Sequence, residues 1–204
     1  MEDMTNRIQV VHAAGTDVVR VADLIAAAFH DLEVAAWQIP DGQLRGTALP
    51  MMFEGLIRYA LSRGSVEVMD DLSAAAVWTV EPGEATPTPR PPDGLLAATL
   101  GEAIERVHAF DLALHEREPF GSAFEKLALL AVRPELQNRG LGSELLAYHL
   151  AGLDRRLMPA YLEASNERSR ELYARFGFRD HGEPIRLPGG PLMYPMLRQP
   201  IPAR

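Results

Sequence analysis

A chain of 204 residues, 47% hydrophobic and 24% charged, has the length of one large domain and enough apolar content to build a core, which excludes disorder for the bulk of it. Its 20 basic against 28 acidic side chains leave a formal charge of −8, a field that repels phosphate backbones, so no nucleic-acid partner is expected. Zero cysteines exclude disulfides, thiolate metal centres and a cysteine nucleophile; with no apolar run long enough to cross a bilayer and an opening MEDMTNR unlike a secretory leader, neither membrane spanning nor export is expected, and a cytoplasmic protein is.

In chain order, residues 7–13 (RIQVVHA) alternate polar and apolar side chains as a half-buried strand does. Gly15, Thr16 and Asp17 then supply turn and capping groups for a helix whose apolar stripe is Val18, Val21, Ala22, Leu24, Ile25, Ala28 and Phe29. A second helical pattern covers about 43–63, with Pro50 as a candidate break. Residues 65–70 and 73–80 read as an antiparallel hairpin turned at Asp71-Leu72. Pro82, Pro87, Pro89, Pro91 and Pro92 make residues 81–94 an extended surface loop inside a single domain spanning 1–204, and a third helix follows over roughly 95–115.

Residues 124–132 (FEKLALLAV) are nearly continuously apolar, the pattern of a central strand covered on both faces. A glycine loop leads into an amphipathic helix with Leu145, Leu146, Leu150 and Leu153 inward. A short strand at 161–164 precedes Ser165 and Asn166, both suited to cap a helix over 167–176 that Gly177 closes. A β-ribbon over 178–197, broken around Pro188-Gly189-Gly190-Pro191, ends the pattern, which is that of a mixed α/β (α+β) fold.

The loop QNRGLG (137–142) is the chemical centre of the sequence. Gly140 and Gly142 carry no Cβ, so several backbone N–H groups can converge on one anion at the positive end of the following helix, with Arg139 adding a full charge. A Walker loop is excluded because Ser143-Glu144 stands where Lys-Ser or Lys-Thr is needed, and a dinucleotide fingerprint because Leu145 replaces its third glycine. His108 and His115 lack the paired spacing of a metal site, so no metal is expected. Trp37 and Trp78 read as core or pocket wall, and the Met51-Met52-Phe53 cluster as helix packing rather than a hydrophobic substrate site.

The loop, the preceding LALLAV strand and the downstream blocks 162–166 (LEASN) and 172–178 (LYARFGF) together resemble the GCN5-related N-acetyltransferases, and the LPGGPLMYPM ending is similar to the puromycin N-acetyltransferase-like branch. The resemblance implies a mixed central β-sheet flanked by helices on both faces. It also implies acetyl-CoA as cosubstrate, with Leu130, Ala131 and Val132 along the pantetheine, Gln137, Asn138, Arg139, Gly140, Leu141, Gly142 and Ser143 around the pyrophosphate, and Asn166 nearby.

In such a transfer a primary amine of a small molecule or peptide attacks directly within a ternary complex. The resemblance makes Tyr173 the general acid for the departing sulfur, a role suited to a phenol with an ordinary pKa of about 10. His115, Glu118 and Glu125 are candidate bases, with Glu125 taken first because it stands on the strand, where Lys126 is a departure from the family pattern. Packing is the competing reading for Tyr173 and helix capping for Asn166. The missing base keeps a second class open, a degenerate acyl-CoA-binding sensor or interaction module, and a homodimer is compatible with the sequence.

Overall fold

The computed structural model describes residues 9–83 and 94–202, so most of the proline-rich segment lies outside the described residues. The strands are β1 (Val10–His12), β2 (Gly64–Met69), β3 (Ala74–Glu81), β4 (Phe124–Val132), β5 (Ala160–Ala164), β6 (Arg179–Asp180), β7 (Ile185–Arg186) and β8 (Leu192–Arg198). They form one mixed sheet in the order β1-β2-β3-β4-β5-β8-β6, with β7 also paired to β8. Every pairing is antiparallel except β4 with β5.

Helices cover both faces, which is why β3 and β4 are buried throughout most of their length. On one face α1 (Val18–Phe29), α3 (Gly42–Arg63), α4 (Gly94–Leu100) and α5 (Ile104–His115) pack with Val66, Val68, Ala75, Val77, Leu129 and Ala131. On the other, α6 (Leu141–Arg156) and α7 (Glu167–Arg175) pack with Met69, Ala76, Trp78, Leu127 and Leu162. Ala75 and Val77 thus face one layer and Ala74, Ala76 and Trp78 the other, the two-residue alternation of a strand.

Three elements differ from the sequence reading. The helix expected over 95–115 is divided into α4 and α5 by a 3₁₀ turn at Gly101–Ala103, where Gly101 takes φ +53°, a left-handed value that glycine adopts without strain. A six-residue helix, α2 (Glu33–Gln38), was not legible because it is too short to show a period. Conversely, α3 runs through Pro50 without a break. Pro50 has no N–H for the Gly46 carbonyl, but Ala48, Leu49, Phe53, Ile57 and Ala60 are all buried, and core packing on both sides of the proline holds the helix together.

Candidate active site

The middle of the sheet opens into a fork. β4 and β5 pair only at Glu125↔Ala160 and Lys126↔Tyr161, although β4 continues to Val132 and β5 to Ala164. Beyond that apex no strand among the described residues lies between the two facing edges. His181 N–H donates to the Pro195 carbonyl at 2.8 Å, so Pro195 turns its hydrogen-bonding edge toward β6, and its cross-strand partner Glu163 turns its own N–H and C=O into the fork.

A β-bulge sits beside the apex. The β3–β4 register passes from Trp78↔Leu127 to Val77↔Leu129, skipping Ala128. The extra residue re-aims the rest of β4: Leu127 packs in the α6 layer, Leu129 and Ala131 in the α1 layer, and Leu130 and Val132 again toward α6. The end of β4 named from the sequence, Leu130 to Val132, therefore lines one arm of the fork.

The glycine loop closes the wide end. After a 3₁₀ turn at Pro134–Leu136, Asn138 and Gly140 take φ +66° and +89°, reversing the chain into α6. Gly140 is the N-cap and has no side chain to cap with, and the first helical bond is Glu144 N–H to Gly140 C=O at 3.0 Å. The N–H groups of Leu141, Gly142 and Ser143 precede it and face outward at the positive end of a 16-residue helix. Gly142 is buried, and a Cβ there would lie 3.6 Å from both Leu130 and Val132, so the glycine lets the helix start seat against the arm of the fork. Gln137 Nε2 donates to the Val132 carbonyl at 3.3 Å and Arg139 to the Glu135 carbonyl at 3.4 Å; both residues are exposed. Arg168 of α7 donates to the Asn138 side chain, tying loop to helix across the mouth.

Asn166 caps α7: its side chain accepts from Ser169 N–H at 2.8 Å. Tyr173, on the same helix, is 9% exposed and edge-on to Phe178 at 5.9 Å. Burial raises its proton affinity, so the phenol is protonated at neutral pH, and among the described residues its hydroxyl has no hydrogen-bond partner. The structure thus gives Asn166 its capping role and Tyr173 a packed ring with a free donor.

Glu125 is placed differently from what a base on the strand requires. Its carboxylate turns to the α6 face, where Oε2 meets His149 Nε2 at 2.8 Å and Oε1 accepts from Arg156 at 2.5 Å. His149 Nδ1 reaches Glu67 at 2.6 Å, and its ring stacks on Trp78 with centroids 4.0 Å apart. Burial opposes the charge on Glu125, but the hydrogen bonds from His149 and Arg156 outweigh it and hold the carboxylate below its usual range. For His149 burial is likewise outweighed, by Glu125 and Glu67, and the imidazole holds its proton more tightly than an ordinary histidine. Both oxygens of Glu125 are engaged with proton affinity reduced, and this is the bonding of an anion that ties α6 to the sheet.

The opposite face of the apex carries a second charged group. Lys126 Nζ lies 2.7 Å from Glu118 and 3.0 Å from Glu163, and Glu118 meets His115 at 3.2 Å. Sequence reasoning missed Glu163 as a site residue; its only signal is a carboxylate between Leu162 and Ala164 in an otherwise apolar strand. Among the described residues no group of three or more His, Asp or Glu is arranged to hold a metal ion.

Part of the sequence and the fold are similar to those of known proteins. Residues 97–180 match the sequence model of the family described as "Acetyltransferase (GNAT) domain". The fold is that of the GNAT proteins. An acetyltransferase from Corynebacterium glutamicum, titled histone acetyltransferase HPA2 and related acetyltransferase, superposes with a TM-score of 0.70 at 22% identity, covering 95% of this chain and 97% of that one. Arylalkylamine N-acetyltransferase 2 from Aedes aegypti gives 0.62 at 14% identity over 95% and 99% of the two chains. The C-terminal condensation domain of Ebony, solved with beta-alanyl-dopamine, gives 0.64 at 11% over 95% and 99%.

Proposed function

We propose that the chain is a single-domain N-acetyltransferase of the puromycin N-acetyltransferase-like branch, moving an acetyl group from acetyl-CoA to a primary amine of a small molecule or peptide by direct attack in a ternary complex. One observation carries this reading: the uncapped amides of Leu141, Gly142 and Ser143 open beside the unpaired edges of a parallel strand pair. Bound there, acetyl-CoA supplies an activated acyl group as a thioester. The residues present fit it. The helix start and Arg139 are suited to a pyrophosphate, and the edges of Leu130–Val132 and of Glu163 offer backbone groups to the pantetheine amides, as a paired strand would.

The chemistry left to the protein is positional and electrostatic. The bulge at Ala128 takes one residue of β4 out of the ladder with β3, and an amide released there is suited to donate to a developing oxyanion at the apex. The Tyr173 hydroxyl, protonated and without a competing partner among the described residues, holds a proton for a departing sulfur. The likeness to arylalkylamine N-acetyltransferase 2 supports an amine as acceptor.

The test is calorimetric titration with acetyl-CoA, followed by measurement of free thiol release with a panel of alkyl- and arylalkylamines. Binding with amine-dependent thiol release is expected. Tight binding with silence across the panel identifies an acyl-CoA sensor, and absence of binding discards the loop assignment.

A further inference from the structure

The face of the fork opposite α6 holds a connected row of ionisable groups that packing does not explain. Glu163 on β5, Lys126 on β4, Glu118 just beyond α5 and His115, the last residue of α5, stand in sequence at 3.0, 2.7 and 3.2 Å. The Glu163, Lys126 and Glu118 side chains are 4%, 13% and 14% exposed, while His115 reaches 25%, so the row runs from the interior toward the surface. Its inner end lies at the apex: Lys126 is in the last β4–β5 pair, and Glu163 is the first residue past that pair whose backbone faces the gap. Ala128, the bulged residue, stands on the facing strand. Two buried carboxylates against one ammonium leave the row with negative charge, and Asp111 of α5, close enough to feel the Lys126 charge, adds another.

We propose that Glu163 is the catalytic proton acceptor for the incoming amine, and that Lys126 and Glu118 are positioning residues that fix its carboxylate. The proposal rests on the acetyl-transfer reading and replaces Glu125 as base. The acceptor enters from the α5 side as an ammonium. One N–H proton passes to a Glu163 oxygen, giving a neutral amine and a carboxylic acid. The amine lone pair forms the N–C bond as the C–S bond of the thioester breaks, the sulfur takes the Tyr173 proton, and the proton left on the new amide nitrogen returns the phenol to its neutral state. Glu163 then releases its proton to solvent past Glu118 and His115.

Electrostatics agrees with this placement. Burial raises the proton affinity of Glu163 and the Lys126 charge opposes it, with the balance upward, the direction that makes a carboxylate a stronger base. For Lys126 burial is outweighed by Glu163 and Glu118, and the ammonium stays charged. The groups facing Glu163 are Lys126 from β4, Glu118 beyond α5 and Tyr161 from its own strand; Asp111 and His115 of α5 and His181, edge-on to Tyr161 at 6.0 Å, complete the surroundings.

The experiment compares wild type with Glu163→Gln, which preserves shape, on the best amine of the panel and on its fluorinated, less basic analogue. Acetyl-CoA affinity, measured on both proteins, reports that the variant is folded. We expect kcat/KM for the basic amine to fall roughly 100-fold in the variant, with loss of the acid limb of the pH profile, and the deficit on the weakly basic analogue to shrink below about tenfold. Amine turnover that Glu163→Gln leaves intact, or an equal deficit on both amines, overturns the assignment while leaving acetyl transfer standing. Absence of turnover of any amine by the wild-type chain overturns both.

Discussion

Two residues carry separable predictions, Gly140 for binding and Tyr173 for turnover. Gly140, at φ +89°, occupies a backbone region that a side chain enters only at a cost of about 1 to 2 kcal/mol, and it leaves the start of α6 without a competing cap. Gly140→Val is therefore expected to weaken acetyl-CoA about tenfold, read as Kd by calorimetry, and an unchanged Kd rejects the loop as the pyrophosphate site. Tyr173 makes the complementary prediction. Its ring packs on Phe178 and its hydroxyl has no partner among the described residues, so Tyr173→Phe keeps the packing and removes only the proton. We expect kcat to drop by roughly two orders of magnitude with acetyl-CoA affinity unchanged, and equal kcat under chemistry-limited conditions would make Tyr173 a core residue.

At the scale of elements, α6 is tied to the sheet by a row of charged groups, buried Glu67, His149 and Glu125 and the exposed Arg156, joining β2, β4 and the helix. Removing the imidazole leaves two buried carboxylates facing each other, so His149→Ala should cost about 3 to 5 kcal/mol in denaturant unfolding. The pH dependence has two signs. His149 binds its proton more tightly when folded, so its contribution is complete below the ordinary histidine pKa and is lost as pH rises through the raised folded value. Glu125 is the reverse: its contribution is complete above the ordinary carboxylate pKa and is lost as pH falls through the depressed folded value. Wild-type stability should therefore fall at both ends of the pH range. The alkaline fall should disappear in His149→Ala, and a variant with the wild-type profile would show that this row is not what titrates.

For the molecule as a whole, the proposed acetyl transfer carries an expectation from charge about its acceptor. A formal −8, together with Glu118, Glu163 and Asp111 against Lys126 on the α5 side, favours a cation that carries no carboxylate beside its amine. Burial lifts the Asp111 carboxyl to about 6, so it is ionised above that pH and adds to the field. An arylalkylamine such as tryptamine should be acetylated with at least roughly tenfold higher kcat/KM than the matching amino acid, and the ratio should shrink in high salt as the field is screened. Equal rates for the two would show that the acidic face does not see the acceptor.

The sequence alone determined the order of most elements, the limits of β4 at Phe124 and Val132, the inward leucines of α6 and the glycine loop, because each is written in local chemistry: apolar period, capping groups and residues without a Cβ. Its register was not written there. Only the tertiary structure decided that β4 and β5 part after Lys126, that a bulge at Ala128 re-aims the strand, and that Glu125 and Lys126, neighbours in the chain, point to opposite faces. One carboxylate was thereby drawn into a row of charged groups under α6 and another, Glu163, was brought to the apex from a different strand. Such a meeting depends on pairing between distant segments, and no window of sequence contains it.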